Sequence, residues 1–286
     1  MKKLYPVLVL IIVSFLFFLS KEIVHLSEAD GLKVTFFDVG QGDSALIQRD
    51  DYQILIDGGP SDEVLTKLGQ NMSPLDRKLE LVILTHPHAD HLVGLNKVLD
   101  RYDIGEIISS GVIFNSTGYI EFLEKVKTKH IALKIAEKGS IRHFLDHGSI
   151  TYIWPGSDFT AKTASNTNNS SEVVKICYLL SRALFMGDLE KDGQEQMLQY
   201  YGDNSPIFKS DIIKVAHHGS SNALLPALYE SASPKYAVLS AGKDNQFGHP
   251  HQSVIDYLME KTIEIFRTDQ NGIAVFNLSK SGVEKR

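Results

Sequence analysis

Apolar residues recur with two different periods along this chain, and the points where the period changes mark its elements. From residue 32, the runs LKVTFFDV, DSALIQ and YQILID are separated by Gly40, Gly42 and the Asp50–Asp51 pair, which predicts a meander of short strands. DEVLTKLGQ switches to helical spacing. After it, LELVILT, DHLVGLNKVLDRY, IGEIISS, YIEFLEKVKTK and HIALKIA alternate strand and helix. Short strands return between Gly139 and Pro155, and residues 156–171 form a polar loop rich in Ser, Thr and Asn. SEVVKICYL and RALFMGD read as a hairpin, EKDGQEQMLQYY as a helix and SDIIKVAH as a buried strand. The last third runs through helix NALLPALYE, strand KYAVLSA, helix HQSVIDYLME, and strands TIEIFRT and NGIAVFN. Meander followed by alternation occurs twice. This predicts an α/β fold of two similar halves, each a mixed sheet with helices on one face, packed sheet to sheet as a four-layer αββα sandwich.

One stretch departs from this pattern. Lys2 and Lys3 precede the apolar run LYPVLVLIIVSFLFFLS, which Lys21 and Glu22 close. A basic start followed by an unbroken apolar run reads as an export segment, and its length suits either a cleaved signal or a tilted anchor. Residues 1–29 are therefore expected to be an export signal or N-terminal membrane anchor, and residues 30–286 an extracytoplasmic domain, secreted or membrane-anchored. At 286 residues with 43% hydrophobic content, the chain can bury a large core, and 9% aromatic residues set it apart from disordered sequences. The formal charge of −6 gives no bulk attraction to phosphate backbones, so a nucleic-acid contact would have to come from a local patch or a bound metal. The single cysteine, Cys177, rules out an intramolecular disulfide and thiolate-rich zinc sites; it reads as a small core residue. No protein partner can be inferred.

Seven of the 11 histidines fall in three short clusters: His86, His88 and His91; His217 and His218; His249 and His251. The first cluster, THPHADH at 85–91, leaves a purely apolar strand and enters a helix, so it sits at the C-terminal end of a buried strand, where ligands gather in open α/β sheets. His86 and His88, two apart on an extended turn, can turn their rings to one ion, while Asp90 and His91 open the helix and can face a second. Imidazole combined with carboxylate suits zinc, manganese or iron. Further along come LIDGG at 55–59, FMGDLE at 185–190, KVAHHGS at 214–220 and FGHPH at 247–251. Singly, LIDGG and FMGDLE would pass for ordinary turns.

In this order the motifs resemble the HxHxDH signature and following motifs of the metallo-β-lactamase fold superfamily, over nearly the whole chain beyond the export segment. The resemblance implies a hydrolase holding two divalent ions, zinc or manganese, with a metal-activated water as nucleophile. It implies His86, His88, Asp90 and His91 as ligands, Asp188 bridging the ions, and Asp57 supporting the ligands from behind. His217 or His218, then His249, would complete the set, with His251 standing behind the ligands or facing the substrate; which member of each pair coordinates stays open. Asp90 and Asp188 are the residues expected to carry the catalysis, Asp90 by orienting the nucleophile.

A finer resemblance is to the extracellular hydrolase domain of ComEC-type DNA-uptake proteins, carried by FFDVGQGDSALI at 36–47, THPHADH, the Asn/Ser stretch before SEVV, GDLE and KVAHHGSS. In its DVGQGDS loop, Asp38, Gln41 and Asp43 are expected to reach the substrate or stand behind the ligands. Lys214, Ser220 and the amides after Gly219, at a helix start expected near Ser221, form a candidate phosphate site. Two departures stand out. The channel-forming segments and the small β-domain of that family are missing, so a direct role in transporting DNA is not implied. The histidine that many members place before the bridging aspartate also has no counterpart; His130, His143 and His147 lie in unsuitable contexts. The resemblance puts Asn168 or Asn169 near its place, and one ion is expected to bind weakly. The function expected is an extracytoplasmic phosphodiesterase or nuclease acting on DNA or another phosphodiester. A hydrolase of small esters, lactones or lactams is the alternative enzyme, and a non-catalytic DNA-binding module related to competence proteins is the alternative of a different class.

Overall fold

The computed structural model describes residues 31–286 together with Ser14, so the export or anchor reading of residues 1–29 lies outside the described residues. Among those described, no helix is long and apolar enough to cross a membrane. Strands β1 (Leu32–Phe36), β2 (Ala45–Arg49) and β3 (Tyr52–Ile56) form the antiparallel meander. Helix α1 (Glu63–Asn71) and the two-residue strand β4 (Lys78–Leu79) follow. The chain then alternates through β5 (Leu81–Leu84), α2 (Ala89–Arg101), β6 (Asp103–Ile104), β7 (Glu106–Ser109), α3 (Thr117–Thr128) and β8 (Ala132–Lys134). Strands β5, β7 and β8 extend the first sheet in parallel from β3, and β6 pairs only with β4.

The second sheet opens with antiparallel β9 (Ile141–Phe144), β10 (Gly148–Trp154), β11 (Val173–Tyr178) and β12 (Ser181–Phe185). It continues in parallel through α4 (Lys191–Tyr201), β13 (Ile212–Lys214), α5 (Pro226–Ala232), β14 (Tyr236–Leu239), α6 (Gln252–Glu260) and β15 (Glu264–Arg267). After α7 (Thr268–Asn271) the path departs from the two-halves reading. β16 (Ala274–Ser279) crosses back to pair antiparallel with β1, and β17 (Gly282–Lys285) pairs with β16. The NGIAVFN strand thus closes the first sheet instead of the second. It covers the open edge of β1, and Ala274, Phe276 and Leu278 fall on the face turned to the second sheet.

Alternation along each strand accounts for the four layers. Ile47, Ile54, Ile56 and Ile83 point into a core shared with Ile150, Val174, Ile176, Phe185 and Val238 of the other sheet, where Phe36 stacks on Phe185 at 5.4 Å. Their neighbours Leu46, Leu55, Val82 and Leu84 point the other way, onto α1, α2 and α3. Leu184, Ile213 and Leu239 do the same toward the helices of the second sheet. Burying each such side chain stabilises the fold by about 1.5–3 kcal/mol. Cys177 is only half-buried, so it is less of a core residue than its apolar neighbours suggested.

One buried group works against this core. Glu172 is fully buried and neither carboxylate oxygen has a hydrogen-bond partner, while its own N–H donates to Thr85 O at 2.9 Å. Burial pushes its carboxyl well above the usual 4.5. A raised folded value means no penalty below the unfolded value and a penalty that grows as pH rises through the folded one. Glu172→Met is therefore expected to stabilise the chain by about 1–3 kcal/mol at pH 8. The gain should shrink toward pH 4 in urea unfolding, and a variant less stable than the parent at pH 8 would contradict this.

Candidate metal centre

Three turns converge at one end of the two sheets. β3 ends in Asp57–Gly58–Gly59, β5 runs into Thr85–His88, and α2 opens with Asp90 and His91. Gly58 and Gly94 let the first turn press on the third: Gly94 N–H donates to Gly59 O at 2.9 Å and Gly58 N–H to His91 O at 2.7 Å. A Cβ on Gly94 would lie 1.8 Å from Gly58 O. Glycine inside a helix costs about 1 kcal/mol relative to alanine, and here it permits the approach that sets His91 over Asp57. From the second sheet, Gly187 follows β12 with φ +51 and its missing Cβ faces Ser171, whose Oγ accepts from Asp188 N–H at 3.1 Å. β13 leads to His217 and His218, both left-handed, at φ 49 and φ 54.

Asp188 Oδ2 is the hub of the cluster. It lies 3.3 Å from His91 Nε2, 3.4 Å from His218 Nε2, and 3.9 Å from both His86 Nε2 and His217 Nε2. Asp90 Oδ2 is 3.1 Å from His218 Nε2 and 3.9 Å from His91 Nε2. Asp90, His91, Asp188 and His218 each bring one ligand atom within 4.8 Å of the other three. His86 Nε2 also meets His88 Nδ1, at 3.0 Å. In this cluster His91 Nε2, Asp188 Oδ1 and His217 Nδ1 are buried with no hydrogen-bond partner. Orphaned buried atoms of this kind call for a partner, and imidazole nitrogens beside carboxylates form a donor set for divalent cations. The residues fit two ions: one among Asp90, His91, Asp188 and His218, the other beside His86 and His88, with Asp188 between them.

The ligands are held from behind. Asp57 Oδ2 accepts from His91 Nδ1 at 2.8 Å and from Thr85 Oγ1 at 2.7 Å, and its Oδ1 accepts from Thr85 N–H at 2.8 Å. This orients His91 so that Nε2 faces the cluster. His218 Nδ1 lies 2.9 Å from Ser240 O and 3.2 Å from Asp43 Oδ1. Asp43 Oδ2 in turn sits 2.8 Å from Lys214 Nζ. Burial alone would lower His91 and His218, but the carboxylates around them, Asp188 foremost, raise both well above the ordinary histidine value. Burial works to raise Asp188, yet those two histidines hold it well below the usual range. Burial lowers His86 and His88, and it pushes His249 down to about 4 with help from His218 and His217. A cation must therefore displace protons from His91 and His218.

The other expected site residues surround the cluster and make contacts of their own. Lys214, read as a phosphate contact, is buried: its period on β13 matches Ile212, which points between the sheets, and its Nζ is taken by Asp43 and by Val215 O at 2.8 Å. The helical start expected near Ser221 is present, but only as 3₁₀ helix. Residues 221–223 form a single 3₁₀ turn capped by Ser220 Oγ, which accepts from Asn222 N–H, and α5 starts at Pro226. His251 Nδ1 accepts from Ser221 N–H at 2.9 Å, tying two loops together. Asp38 Oδ1 caps its own turn by accepting from Gly40 N–H, and Gln41 Oε1 accepts from Gly242 N–H at 3.0 Å across the rim. His249 stands at the edge of the cluster, its ring 5.4 Å from that of His217. Asn168 donates through Nδ2 to Glu190 Oε1 at 2.9 Å. The sequence reading missed Glu190 and Thr85, although both lie inside quoted motifs.

The metallo-beta-lactamase superfamily model matches residues 37–243. The chain is similar to ComE operon protein 3 of Bacillus subtilis, with 27% identity over 260 residues, covering 84% of this chain and 32% of that protein. It is similar to competence protein ComA of Neisseria gonorrhoeae, with 29% identity over 257 residues, covering 88% of this chain and 33% of that protein. The chain thus spans about a third of the length of these curated relatives. Among solved structures, the metallo-beta-lactamase fold protein YhfI from Bacillus subtilis superposes with a TM-score of 0.55 at 14% identity, covering 86% of this chain and 100% of that one, which shows the shared fold.

Proposed function

The chain belongs to the metallo-β-lactamase superfamily, and from that premise we propose that it is a metal-dependent phosphodiesterase or nuclease acting outside the cytoplasm. The observation that carries the hydrolytic reading is Asp188 Oδ2, which lies within 3.9 Å of the ligand nitrogens of His86, His91 and His218, with His91 Nε2 and Asp188 Oδ1 buried and without a hydrogen-bond partner. Held by Asp90, His91, Asp188, His218, His86 and His88, two divalent ions would supply Lewis acidity toward a water and toward the oxygens of an ester or phosphodiester. The rest falls to the chain's own side chains. Asp57 and Thr85 fix the direction of His91, and Asp43 with Ser240 O fixes His218, so the ligand set needs little rearrangement. Asp90, at the first turn of α2, reaches across to His218 and stands where it can orient a nucleophile.

The names of the relatives, a competence protein and a product of a competence operon, support DNA as the substrate class. So does the rim: Phe247 is 55% exposed and its ring stacks on His249 at 5.8 Å, offering a face on which a base can lie. The extracytoplasmic placing rests on the apolar run behind Lys2 and Lys3.

The test is hydrolysis of linear DNA and of bis-p-nitrophenyl phosphate by the full chain with manganese or zinc, beside simple esters and lactones. Metal-dependent cleavage of both phosphodiesters, lost in Asp90→Ala, is the expected result. Intact phosphodiesters with turnover of esters or lactones would move the chain to small-molecule hydrolysis. DNA binding with a steep salt dependence and no cleavage of any substrate would make it a binding module.

A further inference from the structure

The ion position beside His86 and His88 has two histidines where the other has two histidines and its own carboxylate, Asp90. Among the described residues, His130, His143 and His147, the only histidines in sequence between His91 and Asp188, are all exposed. Building on the two-ion reading, we propose that His217, positioned by Glu190, is the third nitrogen ligand at this position and takes the part of the absent histidine.

Four observations converge on this. His217 Nε2 and His86 Nε2 each lie 3.9 Å from Asp188 Oδ2. Atoms up to about 4 Å apart can share an ion bound at about 2.0–2.2 Å from each. Behind the ring, Glu190 Oε1 lies 3.2 Å from His217 Nδ1, close but out of line with the N–H, so a small rotation of the ring completes a carboxylate–histidine pair. Glu190 is itself fixed by the polar loop: Asn166 Nδ2 donates to Oε2 at 2.8 Å, Asn168 Nδ2 donates to Oε1 at 2.9 Å, and Glu190 N–H donates to Asn169 Oδ1 at 3.1 Å. Finally, the consecutive left-handed residues His217 and His218 send their rings apart, with planes 66° apart and centroids at 6.0 Å. His218 meets Asp90, and His217 meets Glu190. Left-handed backbone at a non-glycine residue costs about 1–3 kcal/mol, and here it gives two consecutive histidines different carboxylate partners while both reach Asp188. The asparagines near the missing histidine's place thus act through Glu190 and need not touch metal.

The test is equilibrium titration of the full chain with cobalt(II), read by its visible absorption and by bound metal per chain, without substrate. The parent is expected to bind two ions. His217→Ala should retain one ion, with affinity and spectrum unchanged, and lose the other. Glu190→Gln, which keeps the side chain's size, should weaken that same ion by about 10–100-fold and leave the first unaltered. Two ions bound to His217→Ala with parental affinities, or loss of the tighter ion instead of the weaker, would overturn the assignment, as would a parent that binds only one. Because no turnover is measured, a chain that binds two ions yet cleaves no phosphodiester leaves this inference standing.

Discussion

Asp188→Asn is expected to fold and to lose high-affinity binding of both ions together. Asparagine keeps the shape of the side chain and the N–H contact to Ser171 Oγ, but it removes the negative charge that four imidazoles share. Oδ2 lies within 3.9 Å of His86, His91, His217 and His218, so this one substitution touches both ion positions. The loss should exceed the about 10–100-fold that removing an outer support produces, and calorimetric titration with manganese or zinc reads it. Asp90→Ala, by contrast, should weaken only the ion beside His91 and His218.

Asp57 governs stability and metal binding at once, and two variants separate the effects. Asp57→Ala strips His91 Nδ1, Thr85 Oγ1 and Thr85 N–H of their acceptor, all in a region at most 1% exposed. Removing one partner of a buried, hydrogen-bonded charge pair costs about 3–5 kcal/mol, so a large fall in the urea midpoint is expected. Asp57→Asn can still accept from Thr85 N–H, and stability should largely survive. Its amide, turned toward His91, would demand the opposite ring tautomer, placing an N–H on Nε2 where an ion should bind. Near-parental stability with metal affinity at least about 10-fold lower is the expected outcome. Parental metal affinity in a stable Asp57→Asn variant would show that Asp57 merely fills space.

What the sequence disclosed followed the range of each signal. Leu46 and Ile47, or Ile212 and Ile213, differ in face because strand period is local, and the four layers follow from that alone. The partner of β16 is not local: Ala274 pairs with Phe36 across most of the chain, and the pattern NGIAVFN names a strand without naming its edge. The same period held information left unused. Lys214 shares parity with Ile212 and so had to enter the space between the sheets, where Asp43 supplies the countercharge. Pro226 likewise marked the start of α5, since proline suits the first helical position, yet the apolar spacing of NALLPALYE suggested an earlier start. At the metal centre, the motifs identified the residues that converge, but His217 and His218 occupy left-handed backbone that follows neither strand nor helix period. Their separate directions show only in their partners, Glu190 for His217 and Asp90 for His218.

The most direct measurement on the two-ion centre is anomalous X-ray scattering from crystals of the full chain grown with manganese. Two peaks are predicted, flanking the carboxylate of Asp188, one among Asp90, His91 and His218 and the other beside His86 and His88. A single peak away from Asp188, or none at millimolar manganese, would contradict the account.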